Sequence, residues 1–143
     1  MELVATSDLE LRALGRQIGI HLAGGMVIIL RGELGAGKTT LVQGMAEGLG
    51  ITQHVTSPSF SLIHSYRGSL WTLVHCDFYR LRSPEEAVEI GFLEYLTPEN
   101  VVLVEWGEAF RYLMPSGAAT ITIEYDPRGR KIQAEGLVPV CLS

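Results

Sequence analysis

Several features that define other classes of protein are missing from this chain of 143 residues. No apolar run approaches the roughly 18 to 20 residues of a membrane span, and the N-terminal segment lacks the basic and apolar regions of a signal peptide. The only two cysteines, Cys76 and Cys141, belong to no C-x-x-C motif or Cys/His cluster. We therefore expect a cytoplasmic protein without a membrane segment, in which both thiols stay reduced.

Basic residues are also few. The chain has 11 lysines and arginines against 16 aspartates and glutamates, a formal net charge of −5, and no basic cluster. Proteins that bind bare nucleic acid tightly neutralise its phosphates with clustered lysines and arginines. The charge therefore predicts no tight direct binding of RNA or DNA, and any role near RNA would run through a protein partner.

Residues 26–49 carry the strongest pattern in the sequence. Five apolar residues, 26–30, precede GELGAGKT at 32–39, which fits G-x-x-x-x-G-K-[ST] at every fixed position. Its glycines permit a loop whose backbone N–H groups surround an anion. Lys38 supplies charge for the outer phosphates, and the Thr39 hydroxyl suits Mg²⁺. Apolar residues at helical spacing follow in 41–49. Strand, loop and helix in this order predict a nucleotide-binding phosphate loop rather than an ordinary glycine-rich turn.

Two further predicted strands each end in an acid. Asp77 closes the strand that begins at Leu70, and Glu105 follows the apolar residues 101–104. Ligands of α/β sheets bind at the carboxyl ends of strands, where both acids would lie. Glu105 has the usual form of the second metal-site element, so we expect it to bind Mg²⁺ with Thr39. Asp77 would then hold or polarise the attacking water, or bind a water on the metal. The alternative for each acid is that it has no role in a site and only ends its strand in contact with solvent.

A hydroxyl-rich loop, 55–61, follows the predicted phosphate-loop helix. Nucleotide switches occur here because their hydroxyls reach the γ-phosphate or Mg²⁺, and Ser57 and Ser59 are the candidates. A plain polar connector is an equally open alternative. Phe60, Leu62 and His64 alternate with polar residues, which predicts one strand of a β-hairpin whose return strand is 70–76. The predicted nucleotide-binding residues are Gly32, Glu33, Leu34, Gly35, Ala36, Gly37, Lys38, Thr39, Thr40, Ser57 and Ser59.

The remaining chain supports a layered fold. Capping boxes predict helices that begin after Ser7 and Ser83, and Gly15 and Gly19 are expected to weaken the first. The four histidines share no metal-ligand spacing and are expected to be structural or surface groups. We predict one domain, 1–143, with a three-layer α/β fold of the P-loop NTPase type. Its mainly parallel central sheet would carry antiparallel hairpin additions and bind ATP at the carboxyl edge of the strands.

Missing motifs narrow the class of nucleotide-binding protein. No N-K-x-D motif for guanine is present, which favours ATP, and a motor or helicase would need a longer chain. A small-metabolite kinase stays an alternative, although the arginines are too scattered to indicate a lid. The other class is a regulatory ATPase whose nucleotide state sets the shape of a docking surface. No residue is an evident arginine finger, which predicts weak hydrolysis by the isolated chain.

The order of motifs resembles that of one family. GELGAGKTT, VTSPSFSL, HCDFYRL with a following acidic helix and GFLEY, VVLVEW and a Leu-Met-Pro end are similar to motifs of the TsaE (YjeE) family. The resemblance runs from about Ser7 to Arg130. Ser59 and Glu33 depart from the pattern, since Thr and Asp are usual there.

The resemblance implies a small bacterial ATPase required for threonylcarbamoyladenosine in tRNA. It would act with the TsaD and TsaB proteins and would not itself bind tRNA tightly. Residues 32–39 would bind ATP, Thr39 and Glu105 would hold Mg²⁺, and 57–60 would form the switch loop. Asp77 and Trp106 would be needed for hydrolysis. The implied catalytic set is therefore Lys38, Asp77, Glu105 and Trp106.

Overall fold

Strands and helices alternate through much of the chain in this computed structural model, which describes residues 2–33, 35–56 and 62–136. The strands of these ranges are β1 (Glu2–Ala5), β2 (Val27–Arg31), β3 (Ile63–Arg67), β4 (Thr72–Asp77), β5 (Asn100–Glu105), β6 (Ala119–Asp126) and β7 (Gly129–Glu135). The helices are α1 (Asp8–Ile20), α2 (Lys38–Gly48) and α3 (Pro84–Glu89), with two 3₁₀ helices at Phe92–Tyr95 and Glu108–Leu113. Within the described part of the chain, no helix is both long and apolar enough to cross a bilayer.

The strands form one sheet in the order β1-β7-β6-β2-β5-β4-β3. The four central strands, β6, β2, β5 and β4, are parallel, so the carboxyl ends of β2, β4 and β5 meet at one edge. The flanking pairs β3–β4, β6–β7 and β7–β1 are antiparallel. This confirms the predicted α/β fold with a mainly parallel centre and antiparallel hairpins. The edge strand β1 was not predicted, because its four residues are too few to show an alternating pattern.

Apolar side chains cover both faces of the sheet and produce three layers. Leu30 of β2 belongs to one buried cluster with Ile18 of α1 and Met45 of α2. Ile29, its neighbour along the strand, belongs to a second cluster with Phe92 from the first 3₁₀ helix. Successive strand residues point to opposite faces, so the unbroken apolar run of β2 supplies both cores.

α1 and α2 cross at short range because glycines lie at the contact on both helices. A Cβ at Gly15 or Gly19 would run into the backbone of α2, and a Cβ at Gly44 or Gly48 would run into the backbone of α1. Gly15 and Gly19 lower the helix propensity of α1, as expected from sequence, but the packing requires them. The close crossing fixes α2, which begins at the end of the predicted phosphate loop, against α1.

Of the two predicted capping boxes, the first forms only in part and the second does not form. The Ser7 hydroxyl accepts from the backbone N–H of Glu10 at 3.1 Å, but the Glu10 carboxylate accepts from the backbone N–H of Thr6 instead of that of Ser7. At α3 the predicted box is wrong, since the Ser83 side chain makes no capping bond. The Glu86 carboxylate accepts the backbone N–H of the residue before Ser83 at 3.2 Å. In both cases the carboxylate reaches one residue further back than a capping box requires.

Candidate nucleotide site

The predicted phosphate loop joins β2 to α2. Gly35 and Gly37 have φ angles of 80° and 104°, a conformation that residues with a Cβ rarely adopt. The backbone N–H of Ala36 donates to the carbonyl of Glu33 at 3.0 Å, which closes the turn. α2 begins at Lys38, so the N–H groups of its first turn lie at the end of this loop. A glycine turn that leads into a helix N-terminus suits an anion such as phosphate.

Lys38, Glu105 and His75 form a buried polar group at the carboxyl edge of the sheet. The Lys38 Nζ lies 3.4 Å from Oε1 of Glu105, and Nε2 of His75 lies 2.6 Å from Oε2 of the same carboxylate. An ionised carboxylate only accepts hydrogen bonds, so Nε2 of His75 carries the proton in this contact. Glu105 therefore has an ammonium on one oxygen and an imidazole N–H on the other.

The register of two parallel strands explains this grouping. Asp77 of β4 is paired with Glu105 of β5, and His75 is paired with Leu103. Side chains two residues apart on a strand share a face, so His75, Asp77 and Glu105 all lie on the face that carries α1 and α2. His75 was expected to be a structural or surface group, and its position at the site was missed. The available signal was its spacing of two residues before Asp77.

The two acids have opposite pKa shifts. Burial disfavours the charged form of Glu105, but the hydrogen bond from His75 and the charge of Lys38 outweigh it and lower the pKa of the carboxyl. Partial burial raises the pKa of Asp77, and the nearby charge of Glu105 adds to this, although the Tyr79 backbone N–H donates to its Oδ1 at 3.0 Å. Glu105 thus stays ionised more readily than Asp77, and Asp77 accepts a proton more readily.

Trp106 adopts an unusual backbone conformation directly after Glu105. Its φ of 59° is the only positive value of a non-glycine residue in the described part of the chain. The Lys38 Nζ lies 4.9 Å from the centroid of the Trp106 ring, and the Tyr79 ring lies 5.1 Å from it. The Trp106 side chain is nevertheless 45% exposed. The turn therefore holds an indole over the lysine ammonium while leaving part of the ring open to solvent.

A second contact with the phosphate loop comes from the far end of the sequence. The Tyr125 hydroxyl donates to the carbonyl of Gly35 at 2.7 Å, and Nε of Arg130 donates to the carbonyl of Ala36 at 2.8 Å. The Arg130 guanidinium lies over the Tyr125 ring, 4.4 Å from its centroid. Sequence reasoning did not identify either residue, since neither belongs to a local motif.

A cavity of about 600 Å³ opens beside the loop. Its walls come from the phosphate loop, β6 and the segment after β5, and include Lys38, Trp106, Glu108, Thr122 and Tyr125. The volume is within the usual range for small-molecule sites.

Most of the predicted site residues meet at this edge of the sheet. Gly32, Glu33 and residues 35–40 form the loop and the first turn of α2, and Glu33 is exposed. Lys38 contacts both Glu105 and Trp106, and Asp77 is the strand neighbour of Glu105. Leu34, Ser57 and Ser59 lie outside the described residues. Among the described residues, no group of three or more His, Cys, Asp or Glu side chains is arranged to hold a metal.

Comparisons with known proteins give one family. The family model described as "Threonylcarbamoyl adenosine biosynthesis protein TsaE" matches residues 5–132. The tRNA threonylcarbamoyladenosine biosynthesis protein TsaE of Treponema pallidum is 41% identical over 123 residues, which are 86% of this chain and 90% of that protein. The protein of the same name from Bacillus subtilis is 38% identical over 115 residues, 80% of this chain and 72% of that protein.

A solved structure gives the same result for the fold. The crystal structure of YdiB from Bacillus subtilis superimposes with a TM-score of 0.74 at 34% sequence identity, over 92% of this chain and 80% of that one. Sequence identity and fold agree over nearly the whole chain, and the chain belongs to the TsaE family.

Proposed function

We propose that this chain binds ATP with Mg²⁺ and hydrolyses it slowly, as an accessory factor in the formation of threonylcarbamoyladenosine in tRNA. The observation that carries the proposal is the position of Lys38, whose buried ammonium lies at the start of α2 between Glu105 and Trp106. A buried lysine at the end of a glycine turn is the charge that phosphate-loop proteins use on the outer phosphates. The names of the related proteins support the pathway.

The residues at the loop fit a triphosphate. The positive φ angles of Gly35 and Gly37 shape a turn that a side chain would obstruct, and the N-terminus of α2 favours negative charge. The proposed nucleotide contacts are the loop and helix start, 32–40, and the switch residues Ser57 and Ser59. Lys38 would move from Glu105 toward the phosphates when the nucleotide enters.

The proposed metal ligands are the Thr39 hydroxyl and Glu105. Thr39 is exposed at the second residue of α2, and Glu105 stays ionised because its pKa is lowered. Mg²⁺ keeps several water ligands and needs only one or two protein oxygens, so this small donor set is adequate. When bound, the ion would neutralise negative charge on the phosphate oxygens.

The proposed reaction is attack of a water molecule on the γ-phosphate in line with the leaving oxygen. Asp77 would hold that water and accept its proton, a role that its raised pKa favours. Lys38 would stabilise the transferred group, and the exposed Trp106 would cover the site. Because Asp77 is only partly buried and Trp106 is 45% exposed, water is poorly excluded, and we expect slow hydrolysis by the chain alone.

Protein partners would complete the site. We propose the TsaD and TsaB proteins as these partners, and docking on protein rather than direct tRNA binding accords with the net charge of −5. Tyr79 and Trp106 lie against each other at the surface beside Lys38, where a partner would cover them. A partner seated there would exclude water from the γ-phosphate.

Release of phosphate from γ-labelled Mg·ATP tests the proposal, with the chain alone and with TsaB and TsaD added. We expect slow release that rises with both partners and is lost in Lys38→Ala. Lys131→Ala is the matched control, because Lys131 lies on β7 and pairs with Glu124 at 3.7 Å. If the label appears on a small metabolite instead of free phosphate, the kinase alternative is correct. Unchanged ATP affinity in Lys38→Ala would refute the nucleotide site.

A further inference from the structure

We propose that Tyr125 and Arg130 are positioning residues that hold the phosphate loop in its anion-binding shape. They stand at the end of the β6–β7 hairpin and act on the loop through its carbonyl oxygens. The inference rests on the proposed nucleotide site, and it assigns a role in that site to the hairpin.

The two side chains form one unit. Tyr125 and Arg130 are directly paired across β6 and β7, and the guanidinium of Arg130 stacks on the Tyr125 ring. The Tyr125 hydroxyl and Nε of Arg130 then bind consecutive loop carbonyls, those of Gly35 and Ala36, at 2.7 and 2.8 Å. Arg130 is further held by the carbonyl of Gly129, which accepts from Nη1 at 3.2 Å. This cross-strand pair therefore forms hydrogen bonds to two successive peptide groups of the loop.

Holding a carbonyl also directs an N–H group. In a planar trans peptide the C=O and the following N–H point in opposite directions. When Arg130 fixes the Ala36 carbonyl on the hairpin side, the N–H of Gly37 must point away from the hairpin. When Tyr125 fixes the Gly35 carbonyl, the N–H of Ala36 points to the other side, where it closes the turn on Glu33 at 3.0 Å.

The loop needs such support because its sequence does not impose one shape. Glycine adopts positive and negative φ with similar ease, so the free loop has access to flipped peptides that present carbonyls to an anion. If only a fraction of molecules has the competent shape, the apparent dissociation constant rises in inverse proportion to that fraction. The Tyr125–Arg130 pair raises the competent fraction by holding the loop backbone rather than by binding the phosphates.

Four variants test this role. Tyr125→Phe removes one hydroxyl from a side chain that is 55% exposed and keeps the ring beneath Arg130, so it creates no cavity. Arg130→Met removes the donor, and Arg130→Lys restores a donor of similar reach. Arg128→Met is the control, because Arg128 lies in the same hairpin and its ion pair is with Asp126 at 2.9 Å.

The measurements are calorimetric titrations with ADP and with inorganic tripolyphosphate, together with the melting temperature of each free variant. We expect Tyr125→Phe and Arg130→Met to raise both dissociation constants about three- to tenfold, as the loss of one stabilising hydrogen bond permits. The two ligands should be affected equally, because the pair acts on the phosphate loop. Arg130→Lys should recover part of the affinity, and Arg128→Met should match the wild type.

Two results would overturn the inference. Unchanged affinity in both Tyr125→Phe and Arg130→Met would mean that the loop keeps its shape unaided. If the variants lost affinity for ADP but not for tripolyphosphate, these residues would contact the nucleoside rather than shape the loop. A wild-type chain that binds neither ligand would instead refute the proposed nucleotide site, so the two failures are distinguishable.

Discussion

Nε2 of His75 lies 2.6 Å from Oε2 of Glu105, and this hydrogen bond joins two buried side chains on neighbouring parallel strands. The bond fixes the carboxylate so that its other oxygen, Oε1, faces Lys38 at 3.4 Å. His75 thereby sets the orientation of the acid that we propose as a metal ligand. Among the described residues, Nδ1 of His75 is buried without a hydrogen-bond partner, so the bond to Glu105 is the polar contact that orients the ring.

Replacing His75 tests how much this bond stabilises the fold. We expect His75→Leu to lower the free energy of unfolding by about 1–3 kcal/mol, because the buried Glu105 carboxylate loses a donor. His75→Gln keeps an N–H donor on a side chain of similar length and should lose less. Urea denaturation at neutral pH measures both values. If His75→Leu were as stable as the wild type, the bond would be of no consequence for folding.

The dependence of stability on pH follows from the lowered pKa of Glu105. An acid with a lowered pKa in the folded chain stabilises it above the unfolded pKa of about 4.3, and this contribution is lost as the pH falls through the folded value. We therefore expect Glu105→Gln to have a lower free energy of unfolding than the wild type at neutral pH. The gap between the two free energies should narrow below a pH of about 4.

Asp77 has the opposite effect on the pH dependence of stability. Its raised pKa makes the folded chain bind a proton more readily, so its contribution is unfavourable near neutral pH and is relieved in acid. Because Asp77 is present in both proteins, its effect largely cancels in their difference. Urea denaturation of the two chains at several pH values checks the expectation. If the difference in free energy of unfolding between the wild type and Glu105→Gln stays constant or widens in acid, the lowered pKa assigned to Glu105 is wrong.

The roles of the two acids can be separated by Mg²⁺ titration. We expect Glu105→Gln to raise the Mg²⁺ concentration needed for ATP binding by about tenfold or more, because it removes a proposed metal ligand. Asp77→Asn should change that concentration less and reduce the turnover number more, because Asp77 is proposed to accept the proton of the attacking water. ATP affinity and steady-state turnover, each measured against Mg²⁺ concentration, give both quantities. If Asp77→Asn raised the required Mg²⁺ concentration more than Glu105→Gln did, Asp77 would be the metal ligand and Glu105 the proton acceptor.

The close crossing of α1 and α2 predicts a large effect of one methyl group. Gly19→Ala should lower the free energy of unfolding by about 1–3 kcal/mol, because its Cβ would meet the Met45 backbone. Gly117→Ala is the matched control, since a Cβ at Gly117 meets nothing within 4 Å and its φ is not in the left-handed region. We expect Gly117→Ala to leave the free energy of unfolding unchanged or to raise it by about 0.4–1 kcal/mol. Equal effects of the two substitutions, measured by urea denaturation, would refute the packing argument.

Much of the architecture could be predicted from local patterns. The glycines between an apolar run and a helical repeat predicted the turn that joins β2 to α2, and the two strand-end acids, Asp77 and Glu105, lie as predicted at one edge of the sheet. The capping boxes were less informative, because a side chain such as Glu10 can reach any of several N–H groups near a helix start. Patterns with a fixed period predict elements well, whereas single side-chain contacts depend on the exact path of the chain.

The sequence by itself determined the class of fold, the glycine turn between β2 and α2, and the family, because these depend on short motifs and on hydrophobic periodicity. Only the tertiary structure decided that Glu105 pairs with both Lys38 and His75. The contact with His75 depends on the register of β4 against β5, and the contact with Lys38 depends on where α2 begins relative to β5. The tertiary structure also brought Tyr125 and Arg130 to loop residues that lie 90 and 94 positions away in the chain. No local pattern encodes such contacts, because the strand order of the sheet sets which distant residues become neighbours.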